Sequence, residues 1–262
     1  MTLQLKKFDM KSITFKPDQN TGPVIVLIGR RDTGKSFLVR DLLYYHKDIP
    51  LGTVISGTEA GNGFYSKHVP KLFIHDEYSQ TIIENILKRQ RAVLKRIKQE
   101  VEQYKKSNID PRAFVILDDC LFDDKWTRDK MMRLLFMNGR HWKIMLIITM
   151  QYPLGIPPVL RTNIDYVFIL REPYLANRRR IYENYAGMFP TFESFSQVMD
   201  QCTENYECLV INNNVKSNKL QEQIFWYKAE NHKDFKLGSK EFWEISKDLQ
   251  SDDEEEIYDP NA

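Results

Sequence analysis

The stretch that decides the fold is VIVLIGRRDTGKSFLV, Val24–Val39, in which five apolar residues lead directly into a glycine-rich loop. Apolar residues without polar alternation predict a strand covered on both faces, as in a parallel sheet. The loop matches the pattern G-x-x-x-x-G-K-[ST] at every position, and the residues after it have helical spacing. A strand, a glycine loop and a helix in this order predict a phosphate site, because backbone N–H groups and the positive end of the helix dipole converge there.

The pattern assigns a role to individual residues of this loop. Gly29 and Gly34 permit a tight turn and close approach of the backbone to a ligand. Lys35 is predicted to reach the β- and γ-phosphates as a point charge, and the Ser36 hydroxyl to bind Mg²⁺. We therefore predict that the chain binds a nucleotide with Mg²⁺. The predicted nucleotide-binding residues are Gly29, Arg30, Arg31, Asp32, Thr33, Gly34, Lys35, Ser36 and Phe37.

A second apolar strand, AFVILDD, Ala113–Asp119, ends in two carboxylates. A phosphate loop of this kind needs a partner acid to orient its metal ion, and an aspartate at a strand end can hold the ion through its waters. Asp118 is the predicted residue on the metal side. Asp119 is predicted to accept the proton of the attacking water. The alternative is that the two carboxylates share the orientation of the metal and neither acts as a base.

Two further polar residues are candidates for the same chemistry. Gln151 ends the predicted strand Lys143–Gln151, where its amide is expected to sense the γ-phosphate or position water; the alternative is a hydrogen bond at the strand end. Arg140 precedes that strand and is predicted to act across a subunit boundary, stabilising charge on the transferring phosphoryl group. The alternative for Arg140 is an ordinary salt bridge, with Arg161 and Arg171 competing for the catalytic role.

Apolar runs alternate with helical patterns along the chain. Further strands are predicted at Thr53–Ser56, Lys71–His75 and Asp165–Arg171, with Glu207–Asn212 and Ile224–Ala229 at the sheet edge. Helices are predicted at Ser36–His46, Arg128–Gly139, Glu193–Gln201 and Lys240–Ser246. This alternation predicts an α/β fold, a mainly parallel central sheet flanked by helices, with edge strands near the C-terminus.

One segment, Thr81–Lys106, has an uninterrupted helical pattern with an apolar stripe at a/d-like spacing. Its other faces are basic, and the residues are Lys88, Arg89, Arg91, Lys95, Arg96, Lys98, Lys105 and Lys106. One interpretation is a surface helix that packs one stripe on the body and leaves its charges in water. The other is that the basic face contacts phosphates or a neighbouring subunit.

Composition narrows the class of protein. The chain has 262 residues, 42% hydrophobic and 28% charged, which is ordinary for a globular protein. No apolar run is long enough for a transmembrane helix, and the first residues lack the apolar region of a secretion signal. The three cysteines, Cys120, Cys202 and Cys208, lack paired spacing, so neither a disulfide framework nor a zinc site is expected, and a reducing compartment is predicted.

The charge is unevenly distributed. The formal net charge is +2, yet residues 248–262 carry seven acidic side chains and no basic one, so residues 1–247 alone carry +9. We predict a single ATPase domain over residues 1–247 and an acidic, disordered tail over 248–262. A basic body suits a polyanionic partner, and the tail either competes for the same surface or merely aids solubility.

With these motifs assembled, the chain resembles the FtsK/HerA superfamily of P-loop DNA translocases, and within it the poxvirus-type genome-packaging ATPases of large double-stranded DNA viruses. The resemblance rests on the phosphate loop, the strand ending in Asp118 and Asp119, and the block GRHWKIMLIITMQYP, Gly139–Pro153. In that superfamily a glycine–arginine pair precedes a strand ending in a Thr-x-Gln sequence followed by proline. The segment Pro157–Arg171 also resembles the family's next strand and its lead-in.

The resemblance implies a RecA/ASCE-like P-loop fold and a homo-oligomeric ring of five or six subunits. Such a ring hydrolyses ATP to drive double-stranded DNA into a preformed capsid, with viral capsid or portal-site proteins as partners. It implies a location in the host cytoplasm at viral assembly sites, in the virion, or in both. One departure is that superfamily members commonly have Glu after the Walker B aspartate, where this chain has Asp119.

Two other functions compete with this hypothesis. The segment Leu170–Leu175, followed by Asn177 and the arginines at 178, 179 and 180, imitates the basic lid of a nucleoside or nucleotide kinase. Against a kinase, the acid-ended strand lies far along the chain from the loop, and Gln151 has no clear task. The third alternative is a module that binds nucleotide without hydrolysing it.

Overall fold

The computed structural model describes residues 4–15, 21–120, 126 and 129–247, so the predicted acidic tail lies outside the described residues. The strands are β1 (Lys6–Lys7), β2 (Val24–Ile28), β3 (Gly52–Ser56), β4 (Ile74–His75), β5 (Ala113–Asp118), β6 (Ile144–Met150), β7 (Tyr166–Ile169), β8 (Glu207–Asn212) and β9 (Ile224–Lys228). The α-helices are α1 (Lys35–Tyr45), α2 (Glu59–Asn62), α3 (Gln80–Tyr104), α4 (Lys130–Asn138), α5 (Pro158–Arg161), α6 (Leu175–Tyr185), α7 (Phe192–Cys202) and α8 (Leu220–Gln223). Residues 240–247 are also helical.

These strands form one nine-stranded sheet in the order β1-β9-β8-β7-β2-β6-β5-β3-β4. Strands β2 to β7 run parallel, and β8 runs antiparallel to both β7 and β9. The predicted fold, a mainly parallel sheet with edge strands near the C-terminus, is confirmed. Strand β1 and helices α2, α5, α6 and α8 were not predicted. β1 consists of two exposed lysines, which give no apolar signal.

Strand β2 lies in the middle of this sheet, hydrogen-bonded to β6 on one side and to β7 on the other. All five of its residues are buried. Ile25 and Leu27 pack into the core that also holds Leu38 and Leu42 of α1, whereas Val26 faces the opposite core. An apolar run without alternation forms here because both faces of the strand are covered.

The long helix α3 contacts the body through its first half only. Ile83 and Leu87 are fully buried, and the Gln90 side-chain amide donates hydrogen bonds to the carbonyls of Pro111 (2.8 Å) and Trp142 (2.7 Å). Beyond this point no residue of the stripe is fully buried: Leu94 and Ile97 are half-buried, and Tyr104 is 62% exposed. A helix of 25 residues spans about 37 Å, so its second half extends past the packed region.

The described residues include no helix that is both long and apolar enough to cross a membrane. The three cysteines are free and buried. Burial raises the pKa of Cys120 and of Cys202 to about 12, so both thiols remain protonated at neutral pH.

Candidate nucleotide site

The glycine-rich loop joins the carboxyl end of β2 to the first turn of α1. Its two glycines lie where a side chain would be unfavourable. Gly34 precedes α1 and has φ +88°, a left-handed backbone conformation that residues with a side chain rarely adopt. A Cβ on Gly29 would lie 2.6 Å from Leu170 Cδ1 and 2.8 Å from Thr33 Oγ1. The loop is held at the centre of the sheet because the Gly29 N–H donates to the carbonyl of Met150, 3.0 Å away on β6.

The structure brings three of the predicted site residues together. The Lys35 ammonium lies 2.6 Å from Oδ1 and 2.5 Å from Oδ2 of Asp119. The Gln151 amide donates to Asp119 Oδ2 over 3.0 Å. Both partners of the ion pair are largely withdrawn from water, since their side chains are 10% and 18% exposed. The loop and the ends of β5 and β6 thus share one charged contact.

The neighbouring carboxylate, Asp118, is surrounded by hydroxyl groups. Thr149 Oγ1 donates to Asp118 Oδ1 (2.5 Å) and Ser56 Oγ donates to Oδ2 (3.0 Å). Burial, together with the nearby charge of Asp118, raises the pKa of the buried Tyr65 hydroxyl. Burial, assisted by the charge of Asp119, raises the pKa of Asp118, while the Thr149 hydrogen bond and the Lys35 charge act in the opposite direction.

Thr149 contacts both acids. Its hydroxyl donates to Asp118 and accepts from the Asp119 N–H over 3.1 Å, and Asp119 has φ +49°. Asp118 contacts Ser56, whereas the next carboxylate along the chain, Asp119, contacts Lys35. The sequence identified Thr149 only as part of a motif, since its role follows from the pairing of β5 with β6, which sets it opposite Asp118.

A cavity of about 390 Å³ joins these groups. Its lining residues are Arg30, Arg31, Asp32, Gly34, Lys35, Ser36, Phe37, Thr58, Asn62, Asp118, Asp119 and Gln151. This set contains most of the residues predicted from the sequence. Gly29, Thr33 and Arg140 are not in it. Thr58 and Asn62, at the two ends of α2, were missed because that short helix gave no sequence signal.

The donor set of this cavity fits Mg²⁺. Ser36 and Asp118 supply hard oxygen ligands, and Mg²⁺ is commonly held by one or two carboxylates together with substrate phosphates. No group of three or more His, Cys, Asp or Glu side chains able to hold a metal occurs among the residues that the structure describes. The site therefore suits an ion that shares its ligands with a phosphate chain better than an ion held by protein alone.

Arg140 has a different environment from the one expected of a catalytic arginine. Its guanidinium donates to Asp165 Oδ2 (2.9 Å) and to the Asn163 carbonyl (2.6 Å), and its side chain is 19% exposed. Asp165 also accepts from the Val24 N–H over 2.9 Å. This cluster lies where β2, β6 and β7 begin, whereas the loop follows the other end of β2. The geometry corresponds to the salt bridge that was the alternative interpretation, and action across a subunit boundary remains a prediction.

The other arginines considered for catalysis or for a lid differ in position: Arg171 lies next to the loop, whereas Arg161 and Arg178 are bound within the body of the protein. Arg161 is held within its own chain by the carbonyl of Ile156 and by Asn184. Arg171 lies next to the loop, with its side chain 57% exposed. Arg178, expected in a kinase-like lid, is buried in α6 and bound to Ser196 and Asp200 among other groups. Arg178 is therefore held within the scaffold, whereas Arg179 of the same basic run is exposed.

We expect Thr149→Val to lower Mg²⁺-dependent ATP turnover by roughly 10- to 100-fold, as for other residues that orient metal-binding carboxylates. Valine keeps the shape of the buried side chain and removes the hydroxyl shared by Asp118 and Asp119. Thr149→Ser is the control, because it keeps the hydroxyl and should retain most activity. Equal turnover in wild type and Thr149→Val would show that the hydroxyl does not orient these acids.

We expect Arg140→Ala to lower the free energy of unfolding by roughly 3 kcal/mol, the lower end of the range for breaking a buried pair. Asp165 would lose its contact with the Arg140 guanidinium beside the first residue of β2. Urea unfolding measures the change, with Arg171→Ala as the exposed control that should leave stability unaltered. Loss of ATP turnover in Arg140→Ala without loss of stability would instead support the catalytic role.

Comparison with known proteins gives viral relatives that match most of this chain. Protein L437 of Acanthamoeba polyphaga mimivirus, which is uncharacterised, is 40% identical over 245 residues, covering 93% of this chain and 83% of the relative. The uncharacterised protein 075L of Invertebrate iridescent virus 6 is 42% identical over 250 residues, covering 93% of each chain.

Two solved structures share the fold at low sequence identity. The genome packaging NTPase B204 of Sulfolobus turreted icosahedral virus 2, in complex with AMPPCP, has a TM-score of 0.55 at 17% identity, covering 80% of this chain and 99% of B204. The pCW3 conjugation coupling protein TcpA, with ATPγS, has a TM-score of 0.56 at 13% identity, covering 96% of this chain and 75% of TcpA. The family model described as Poxvirus A32 protein matches residues 6–237, and the chain therefore belongs to the poxvirus A32 family of P-loop packaging ATPases.

Proposed function

We propose that this chain hydrolyses ATP and that a homo-oligomeric ring of five or six copies uses the energy to drive double-stranded DNA into a preformed viral capsid. The observation that carries the proposal is the contact of Lys35 with Asp119, supported by Gln151, at the mouth of a phosphate loop. Membership of the poxvirus A32 family supports the packaging role. Capsid or portal-site proteins would be its partners, at viral assembly sites in the host cytoplasm or in the virion.

The residues of the cavity divide the chemistry among them. Lys35 would contact the β- and γ-phosphates, exchanging one anionic partner, Asp119, for another. Ser36 and Asp118 would hold Mg²⁺, which when bound neutralises charge on the phosphates. Asp119, released from Lys35, would accept the proton of the attacking water, and Gln151 would position that water. The new bond joins water oxygen to the γ-phosphorus, and the bond to the β–γ bridging oxygen breaks to release ADP.

The charge of the body supports a nucleic-acid partner. Residues 1–247 carry a formal +9, and contact with phosphates needs no base recognition. Helix α3 contributes less than its sequence suggests, because Lys88, Arg96 and Lys98 each pair with a glutamate one turn away. This arrangement favours the interpretation of α3 as a solvated surface helix. We therefore attribute DNA contact to the basic body as a whole rather than to this helix.

The test is ATP turnover of the full chain with and without linear double-stranded DNA over a salt series. DNA should raise turnover at low salt, and the effect should fall steeply with salt because phosphate contacts release counterions. Lys35→Ala should reduce turnover by roughly 100-fold or more, since the transition state loses its principal cation. Lys88→Ala, an exposed lysine on α3, is the matched control and should retain activity.

Movement of DNA is measured in the same preparation as displacement of a third strand from a triplex by ATP. If DNA left ATP turnover unchanged at every salt concentration and the third strand were not displaced, the translocase function would be excluded. Phosphorylation of a nucleoside or nucleotide acceptor would favour the kinase. ATP binding without turnover, even with DNA and assembled capsid partners, would favour the binding module.

A further inference from the structure

A second cavity, of about 440 Å³, lies on the other side of the phosphate loop. Residues Arg30 to Asp32 of the loop line both cavities. The first cavity is bounded by the ends of β5 and β6, where Asp118 and Gln151 lie. The second is bounded by Arg171, just after β7, and by residues 203–206, just before β8. These segments are adjacent because β8 runs antiparallel to β7.

The floor of this second cavity has an uncommon backbone. Asn205 and Tyr206 are consecutive residues with positive φ, +53° and +64°. Asparagine tolerates this region, whereas a bulky aromatic residue rarely adopts it, and such strain often accompanies binding sites. The Tyr206 ring is directed at the phosphate loop: its Cδ1 lies 3.2 Å from the position that a Cβ on Gly34 would occupy. A constrained turn therefore places an aromatic ring beside the first turn of α1.

Tyr206 remains accessible although it contacts the loop. The residue is 68% exposed, so the contact with Gly34 covers only part of it. Arg171 and Glu204 form an ion pair across the cavity wall (3.6 Å), with both side chains more than half exposed. The cavity thus combines an aromatic surface with a hydrogen-bond donor and a hydrogen-bond acceptor. Its volume falls within the range of about 300–1,000 Å³ found for small-molecule sites.

We propose that this second cavity binds the nucleoside part of the nucleotide, with the Tyr206 ring as the surface on which the base stacks. The inference rests on the proposed ATP binding at the loop. The side of the loop at β5 and β6 is occupied by the groups that act on the terminal phosphates, so the α-phosphate end of the chain points toward β7 and β8. Stacking on an aromatic ring suits a flat base, and Glu204 and Arg171 offer hydrogen bonds to ribose hydroxyls or base edges.

Two probes separate the base from the phosphates. The non-hydrolysable analogue β,γ-methylene-ATP has a base and ribose, and inorganic tripolyphosphate has neither. Binding of each is measured by calorimetry with Mg²⁺ on the full chain. Tyr206→Asn removes the ring while keeping a residue that tolerates positive φ, Tyr206→Phe keeps the ring, and Tyr104→Asn changes an exposed tyrosine on α3 as the matched control.

We expect Tyr206→Asn to weaken binding of the ATP analogue roughly 5- to 150-fold, the range for losing one stacked base, and to leave tripolyphosphate binding unchanged. Tyr206→Phe and Tyr104→Asn should bind both probes like wild type. Unchanged analogue binding in Tyr206→Asn, or equal weakening of both probes, would overturn the base-stacking role while leaving the phosphate loop intact. If the wild-type chain bound neither probe, the proposed ATP site would fail together with this inference.

Discussion

The contact between Lys35 and Asp119 is the interaction on which the site depends, because it joins the phosphate loop to the end of β5. A largely buried ammonium is costly to keep without an anionic partner, and the carboxylate supplies one. In the proposed mechanism a bound triphosphate requires the same ammonium, so phosphates and Asp119 would be alternative partners of one cation. In the proposed mechanism this competition couples binding to chemistry, since the phosphates that engage Lys35 also release the carboxylate that accepts a proton from water.

Much of the site could be predicted from the sequence because its parts are local. The loop and the strand before it are contiguous, and the two acids end a recognisable apolar strand. The groups that orient these acids could not be predicted in the same way. Ser56 and Thr149 reach Asp118 only because β3 and β6 flank β5 in a particular register, and register is a property of the folded sheet. The turn that carries Tyr206 had no signal, since strain in a loop has no sequence period.

Two arginines and the long helix α3 show which contacts the sequence patterns did not predict. The pattern around Arg140 predicted a catalytic role, yet its side chain pairs with Asp165 where three strands begin. Arg178 belongs to a basic run but is buried in α6, because a helix directs neighbouring residues to different faces. Helix α3 has an apolar stripe along its whole length, of which only the first half meets the body. In each case the sequence identified the residue type, whereas the fold determined the partner.

The central claim is that a triphosphate displaces Asp119 from Lys35. The most direct measurement is a structure of the full chain with Mg²⁺ and a non-hydrolysable ATP analogue. The account predicts that the Lys35 ammonium lies within hydrogen-bonding distance of the β- and γ-phosphate oxygens, and that the Asp119 carboxylate is separated from Lys35 and faces a water molecule near the γ-phosphate. A nucleotide bound elsewhere, with the contact between Lys35 and Asp119 unchanged, would contradict it.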